Sequence, residues 1–209
     1  MTRAKTKKVD LRKELKHLYN PSAKEVSVVD VPEMSFLMVD GEGDPNTSER
    51  YGQAVEALYA VSYALKFMVK KGAAGVDYAV MPLEGLWWAD DMSRFSTSDK
   101  DAWKWTMMIM QPEFVTVEQF EKAKGQTEKK KGSLTALASM GFEAFREGRA
   151  ARILHVGPFA DEGPNIEKIH RFIEGLGHER TGKHHEIYLS DPRRTAPERL
   201  KTVIRQPFE

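Results

Sequence analysis

Two glutamates set among aromatic side chains are the residues best suited to chemistry. Glu84 lies in Pro82-Leu83-Glu84-Gly85-Leu86-Trp87-Trp88, and Glu186 in His185-Glu186-Ile187-Tyr188-Leu189. Both stretches read as strands, where successive side chains point to opposite faces. Glu186, Tyr188 and Ser190 then share one face, and His185, Ile187 and Leu189 the other. The apolar set is expected to face the core, which turns Glu186 and Tyr188 toward a groove. In the earlier stretch Glu84, Leu86 and Trp88 share a face, and alternation sends Trp87 the opposite way. Burial beside indole and phenol rings raises a carboxylate's proton affinity unless donors compensate. Such a group can deprotonate water, or attract a flat cationic or polarised ligand stacked on the rings. The competing reading makes both glutamates solvated strand residues and one tryptophan simple packing.

Other candidates are weaker. His155, on an apolar strand, reads either as a satisfied interior histidine or as a group turned toward Glu186. His184-His185-Glu186 has metal-ligand residue types, yet adjacent strand residues point apart and cannot close on one ion. No metal site and no cofactor is expected, and no phosphate loop, nucleophile elbow or kinase motif occurs. The absence of cysteine excludes disulfides and thiol catalysis.

The 32 basic and 31 acidic residues nearly cancel, which leaves no global field for steering nucleic acid or a membrane surface. The basic start, Arg3 to Lys8, reads as a solvated tail. No apolar run approaches the ~18 residues of a spanning helix, and no secretory leader is visible. A cytoplasmic protein is the expectation. At 209 residues the chain suits a single domain.

The elements that would hold these residues recur. Leu11, Leu15 and Leu18 predict a leader helix ahead of Asn20-Pro21. Val26–Val31 and Ser35–Val39 read as strands broken at Pro32-Glu33, followed by the turn Gly41-Glu42-Gly43-Asp44-Pro45. Asn46 and Glu49 have capping-box spacing for a helix to about Lys71. Strands follow over Tyr78–Trp88 and Trp103–Met110, with a polar loop from Ala89 to Asp101. Thr116 and Gln119 start another helix, Lys122 to Gly132 reads as a solvated linker, and 133–147 is ambiguous. The order then repeats: strand Ala151–Val156, a helix with Ile166, Ile169, Phe172 and Ile173 on one face, and strands around Glu186 and Val203. Both halves end alike, in Met110-Gln111-Pro112 and Arg205-Gln206-Pro207. The expected fold class is α+β: a tandem pseudo-twofold repeat of two βαββ units forming a concave antiparallel sheet with a central ligand cleft. Residues 1–22 form the tail and leader, 23–112 the first unit, 113–147 a connection and 148–209 the second.

Leu18-Tyr19-Asn20-Pro21-Ser22, Gly41-Glu42-Gly43-Asp44-Pro45, Glu84-Gly85-Leu86-Trp87-Trp88, His155-Val156-Gly157-Pro158-Phe159 and Glu186-Ile187-Tyr188-Leu189-Ser190-Asp191-Pro192 occur in the order seen in a known family. Together they resemble the stand-alone GyrI-like small-molecule-binding proteins over nearly the whole chain. The resemblance implies tandem βαββ units around a ligand cleft. It maps the family's pocket glutamate onto Glu186 and its tryptophan motif onto Trp87 and Trp88. Similar stand-alone members include cyclopropanoid cyclopropyl hydrolases, which add water to the cyclopropane of DNA-alkylating natural products. Glu186 would then deprotonate water, and Tyr188 would hydrogen-bond the developing phenolate. Trp87 or Trp88, with Tyr59, Tyr63 or Tyr188, would sandwich a hydrophobic aromatic small molecule, with Glu84 and His155 as further contacts. The alternatives are a sequestering pocket without chemistry and a gyrase-inhibitor-like protein-binding module.

Overall fold

The computed structural model describes residues 7–90, 100–132 and 134–209. It is a mixed helix and strand chain whose antiparallel sheet closes on itself as a barrel in the order β2-β5-β4-β7-β8-β6. The strands are β2 (Ser27–Glu42), β4 (Leu83–Trp88), β5 (Lys104–Gln111), β6 (Gly141–Val156), β7 (His184–Tyr188) and β8 (Lys201–Pro207). The sheet therefore closes where an open concave one was expected. Closure comes from β2 and β6, each of 16 residues, which are long enough to pair with two neighbours apiece. β2 pairs β6 from Ser27↔Arg152 to Met38↔Gly141, and its later part pairs β5 from Ser35↔Gln111 to Glu42↔Lys104. Pro32 does not break β2, because the ladder passes from Val31↔Gly148 to Glu33↔Arg146 and asks nothing of the missing N–H.

Two helices cover the outer face. α3 (Glu49–Lys71) starts at Ser48, whose side chain accepts from the Tyr51 amide; Asn46 instead closes its own turn on Asp44. One stripe of α3, including Ala54, Leu58, Val61 and Leu65, is fully buried on the sheet. Each such leucine or valine contributes about 1.5–3 kcal/mol relative to exposure. The neighbouring stripe carries Tyr51, Val55, Tyr59, Tyr63 and Phe67 at four-residue steps and remains uncovered by strands, with Tyr63 and Phe67 about half exposed. α6 (Gly163–Gly175) lays Ile169 and Ile173 on Ile153 and Ile204.

The smaller elements revise the expectations made from sequence. The leader forms two short turns, α1 (Leu11–Glu14) and α2 (Lys16–Tyr19), which bury Leu11, Leu18 and Tyr19. The described part of the basic start is ordered: β1 (Lys7–Val9) runs parallel to β3 (Val76–Tyr78). The lysine-rich stretch is α4 (Val117–Lys131), opened by a capping box of Thr116 and Gln119 and anchored by Phe120, Ala123 and Thr127 on one face. α5 (Thr135–Ala138) and the start of β6 resolve the ambiguous stretch. Most of the polar loop after Ala89 lies outside the described residues. Among the described residues, no helix is long and apolar enough to cross a membrane.

Candidate functional site

Strand pairing decides what each side of the sheet presents. In the β4–β7 ladder Gly85 stands opposite Glu186, Trp87 opposite His184 and Leu83 opposite Tyr188. These residues share the outer face, between α3 and α6. The alternate set, Glu84↔Ile187 and Leu86↔His185, points inward.

The outer set floors a cleft of about 2950 Å³. One wall is the uncovered stripe of α3, with Tyr51, Tyr59 and Tyr63; the other is the Pro158–Glu162 turn, with Phe159. Tyr188 donates its hydroxyl to Glu186 Oε2 at 2.7 Å and accepts from Trp87 Nε1 at 3.0 Å. His184 Nε2 approaches Glu186 Oε1 at 3.2 Å. The Trp87 ring stacks on Tyr51 at 6.1 Å and meets Trp103 edge-on at 5.6 Å. Phe159 meets Tyr188 edge-on at 5.6 Å. The indole reaches Tyr188 because residue 85 is glycine: a Cβ there would lie 2.7 Å from Trp87 Nε1.

Charge on the floor follows from these contacts. Burial by itself would raise the Glu186 carboxyl, but hydrogen bonds and charge from His184 and the Tyr188 hydroxyl outweigh it and hold Glu186 below its ordinary value. Tyr188 is pushed well up, first by burial and then by the Glu186 charge, and Tyr51 moves the same way. The result is an ionised carboxylate in an aromatic recess, with its side chain about one-sixth exposed.

Glu162, not among the candidates named from sequence, also lines the cleft. It is 4% exposed and lies beside Glu186 and Thr202. Burial, and then the Glu186 charge, push its carboxyl up to about 9. The available signal was an acidic residue directly before Gly163-Pro164, at a helix start it does not cap.

Of the residues named from sequence, the structure gathers Glu186, Tyr188, Trp87, Tyr59 and Tyr63 at the cleft. Three others lie elsewhere. Glu84 is fully buried on the inward face, because its pleat position pairs with Ile187 and not with Glu186. Its Oε1 accepts from the Tyr19 hydroxyl at 2.7 Å, and its Oε2 faces His185 Nε2 at 3.0 Å. Trp88, one residue past Trp87, points away from the cleft and carries Lys183 Nζ 3.3 Å above its ring. His155 is buried and satisfied: Nε2–H donates to the Pro158 carbonyl at 3.0 Å, and Nδ1 accepts from Asn165 at 3.1 Å. His184 and Glu186 do meet, as residues two apart on one face, but no group of three metal-ligating side chains occurs among the described residues.

Behind the floor, His185 sits between two carboxyls. Nε2 faces Glu84, and Nδ1 faces Glu147 Oε1 at 2.9 Å. Glu147 Oε2 accepts from Arg205 at 3.0 Å, and Arg205 donates on to the Leu18 carbonyl at 2.5 Å. Both imidazole nitrogens face acceptors, so both carry protons. Burial would push His185 down, but the Glu147 and Glu84 contacts raise it to about 9. Burial would likewise raise Glu147, yet His185 and Arg205 hold it at about 2. This network ties the leader, β4, β6, β7 and β8 together directly beneath Glu186.

Comparison with known proteins agrees with this architecture. An uncharacterised conserved protein from Listeria innocua, of known crystal structure, is 42% identical with a TM-score of 0.89, over 96% of this chain and 100% of its own. A hydrolase from Listeria innocua matches at 42% identity and a TM-score of 0.83, over the same shares. The C-terminal domain of EcmrR, at 12% identity and a TM-score of 0.53 over 92% of this chain and 98% of its own, shares the fold alone. No curated protein sequence matches. The model of the GyrI-like small molecule binding domain matches residues 24–209, and the chain belongs to that family.

Proposed function

We propose that the cleft binds flat hydrophobic aromatic small molecules and hydrolyses them, with cyclopropanoid DNA-alkylating toxins as the substrate class. The observation that carries this reading is Glu186, held ionised at the floor by His184 and Tyr188 among the rings of Trp87, Tyr51 and Phe159. Support also comes from the Listeria innocua hydrolase at 42% identity. The ligand stacks on Trp87 and on the tyrosines of α3. Glu186 takes a proton from water, the water oxygen bonds to the cyclopropane methylene, and the strained C–C bond breaks. Its electron pair moves into the conjugated carbonyl to give a phenolate, which takes a proton from solvent. The strained electrophile needs only positioning and general-base help, the base alone contributing about 10²–10⁴-fold. Tyr188 orients Glu186, because its hydroxyl proton is committed to Oε2.

The test is incubation of the protein with a spirocyclopropyl dienone, followed by mass spectrometry. Catalytic gain of one water that is lost in Glu186→Gln supports the reading; full turnover by that variant rejects it. A second reading, sequestration without chemistry, draws on the size of the cleft, about 2950 Å³ against the ~300–1,000 Å³ of an ordinary ligand pocket. It predicts recovery of intact ligand bound at one equivalent.

We infer also that residues 23–112 and 148–209 are two copies of one βαββ unit. In support, β2, α3, β4 and β5 follow the same order as β6, α6, β7 and β8, and the two long first strands have equal length.

A further inference from the structure

Glu162 stands at the N-terminus of α6 and makes no capping bond there. It turns into the cleft instead and is 4% exposed. Its Oε1 has no hydrogen-bond partner among the described residues, and neither has the neighbouring Thr202 Oγ1. Glu186 beside it is differently served, with Tyr188 donating to one oxygen and His184 set against the other. Two carboxylates that line the same low-dielectric recess as neighbours do not both ionise. The one supplied with donors takes the charge, and the other keeps its proton and donates.

We propose that Glu162 and Glu186 form one acid–base pair that shares a single proton, Glu162 carrying it and Glu186 presenting the anion to the substrate. Glu162 is thus a positioning residue that acts through Glu186. Its O–H fixes the carboxylate's orientation and neutralises the second negative charge the recess would otherwise hold. When Glu186 takes a proton from attacking water the pair holds two, and it returns to one by releasing a proton to solvent. The groups facing the pair are His184 and Tyr188 on β7, Tyr51 on α3 and Thr202 on β8. The catalytic consequence rests on the hydrolytic reading; the shared proton does not.

Two measurements separate them. Carboxyl ¹³C titration of the full chain is expected to show Glu162 deprotonating near pH 9, and in Glu186→Gln at least one pH unit lower, because the anionic neighbour is gone. Titration of Glu162 in the ordinary carboxylate range overturns the pair, and the wild-type curve alone decides this should a variant fail to fold. With a spirocyclopropyl dienone, kcat/KM is expected to fall on the alkaline side in wild type. Glu162→Gln, whose amide still donates, should lose that alkaline limb. An alkaline limb unchanged in Glu162→Gln overturns the proposal. If wild type does not turn over the dienone, the hydrolytic reading fails while the titration still judges the pair.

Discussion

Replacing His185 by glutamine tests the polar network beneath the floor, and its effect depends on pH in a calculable way. The imidazole is 1% exposed, with a carboxyl on each nitrogen. Its folded-state value of about 9 lies above the ordinary 6.5. A group raised on folding contributes its full stability below the unfolded value and loses it as pH climbs through the folded one. The contribution is therefore whole below about pH 6.5 and gone above about pH 9. At about 1.4 kcal/mol per pH unit, a gap of about 2.5 units corresponds to about 3.5 kcal/mol. The substitution also leaves Glu147 without its imidazolium partner, a loss of about 3–5 kcal/mol at pH 6. Urea unfolding of wild type and His185→Gln from pH 6 to pH 10 reads both quantities. Subtracting the curves removes the lysines and tyrosines that titrate in both proteins. The stability difference should be largest at pH 6 and shrink by about 3.5 kcal/mol by pH 10. Parallel curves would refute the buried imidazolium.

Three further outcomes are expected. Gly85→Ala puts a methyl group 2.7 Å from Trp87 Nε1 and 3.2 Å from Met107 Sδ. It should destabilise by about 2–4 kcal/mol through overpacking and loss of the Trp87–Tyr188 hydrogen bond, and weaken aromatic-ligand binding at least tenfold by fluorescence titration. Tyr19→Phe removes the buried donor to Glu84 and should cost about 1–3 kcal/mol in denaturant unfolding. At about 1.4 kcal/mol per pH unit, Glu162→Gln should gain about 5 kcal/mol on wild type between pH 4.5 and pH 8, the gap widening further toward pH 9. The wild-type unfolded state sheds that proton while the buried carboxyl keeps it, a difference thermal unfolding at pH 4 and pH 8 would reveal.

The face carrying Glu186 and Tyr188 was legible because strand periodicity needs only the strand itself. Trp87 against Trp88 was not, since the choice depends on which residue of β4 pairs with Glu186. That is a long-range register, and it placed Gly85 there. The same offset carried Glu84 to the inward face, although its motif looked equivalent. Closure of the sheet was hidden by Pro32, which reads as a strand end but falls where the ladder makes no demand on its nitrogen. α4 was hidden by composition. Its charged residues outnumber the apolar ones, yet Phe120 and Ala123, with the capping box at Thr116, suffice to fix a helix against α3. Glu162 was hidden by context, because a glutamate in a turn ahead of a helix ordinarily stays in solvent.

The alternation that made Glu186 legible also explains why its neighbour is charged. β7 has five residues and is joined to β8 by a long connection, so its position depends on the ladders to β4 and β8 at either side. Main-chain ladders hold spacing well but resist a two-residue slip weakly, because a slip by two preserves the faces. An aliphatic residue at 185 would pack after such a slip. An imidazolium between Glu84 of β4 and Glu147 of β6 would not, because both its hydrogen bonds would be lost in a dry interior. Replacing the whole network by apolar residues of similar volume can therefore leave stability intact while freeing β7 to shift. A shift of about 1 Å at Glu186 is enough to cost catalysis about 10²-fold. On this argument the network under the cleft is there for the placement of Glu186, and turnover should suffer more than melting temperature when it is replaced as a unit.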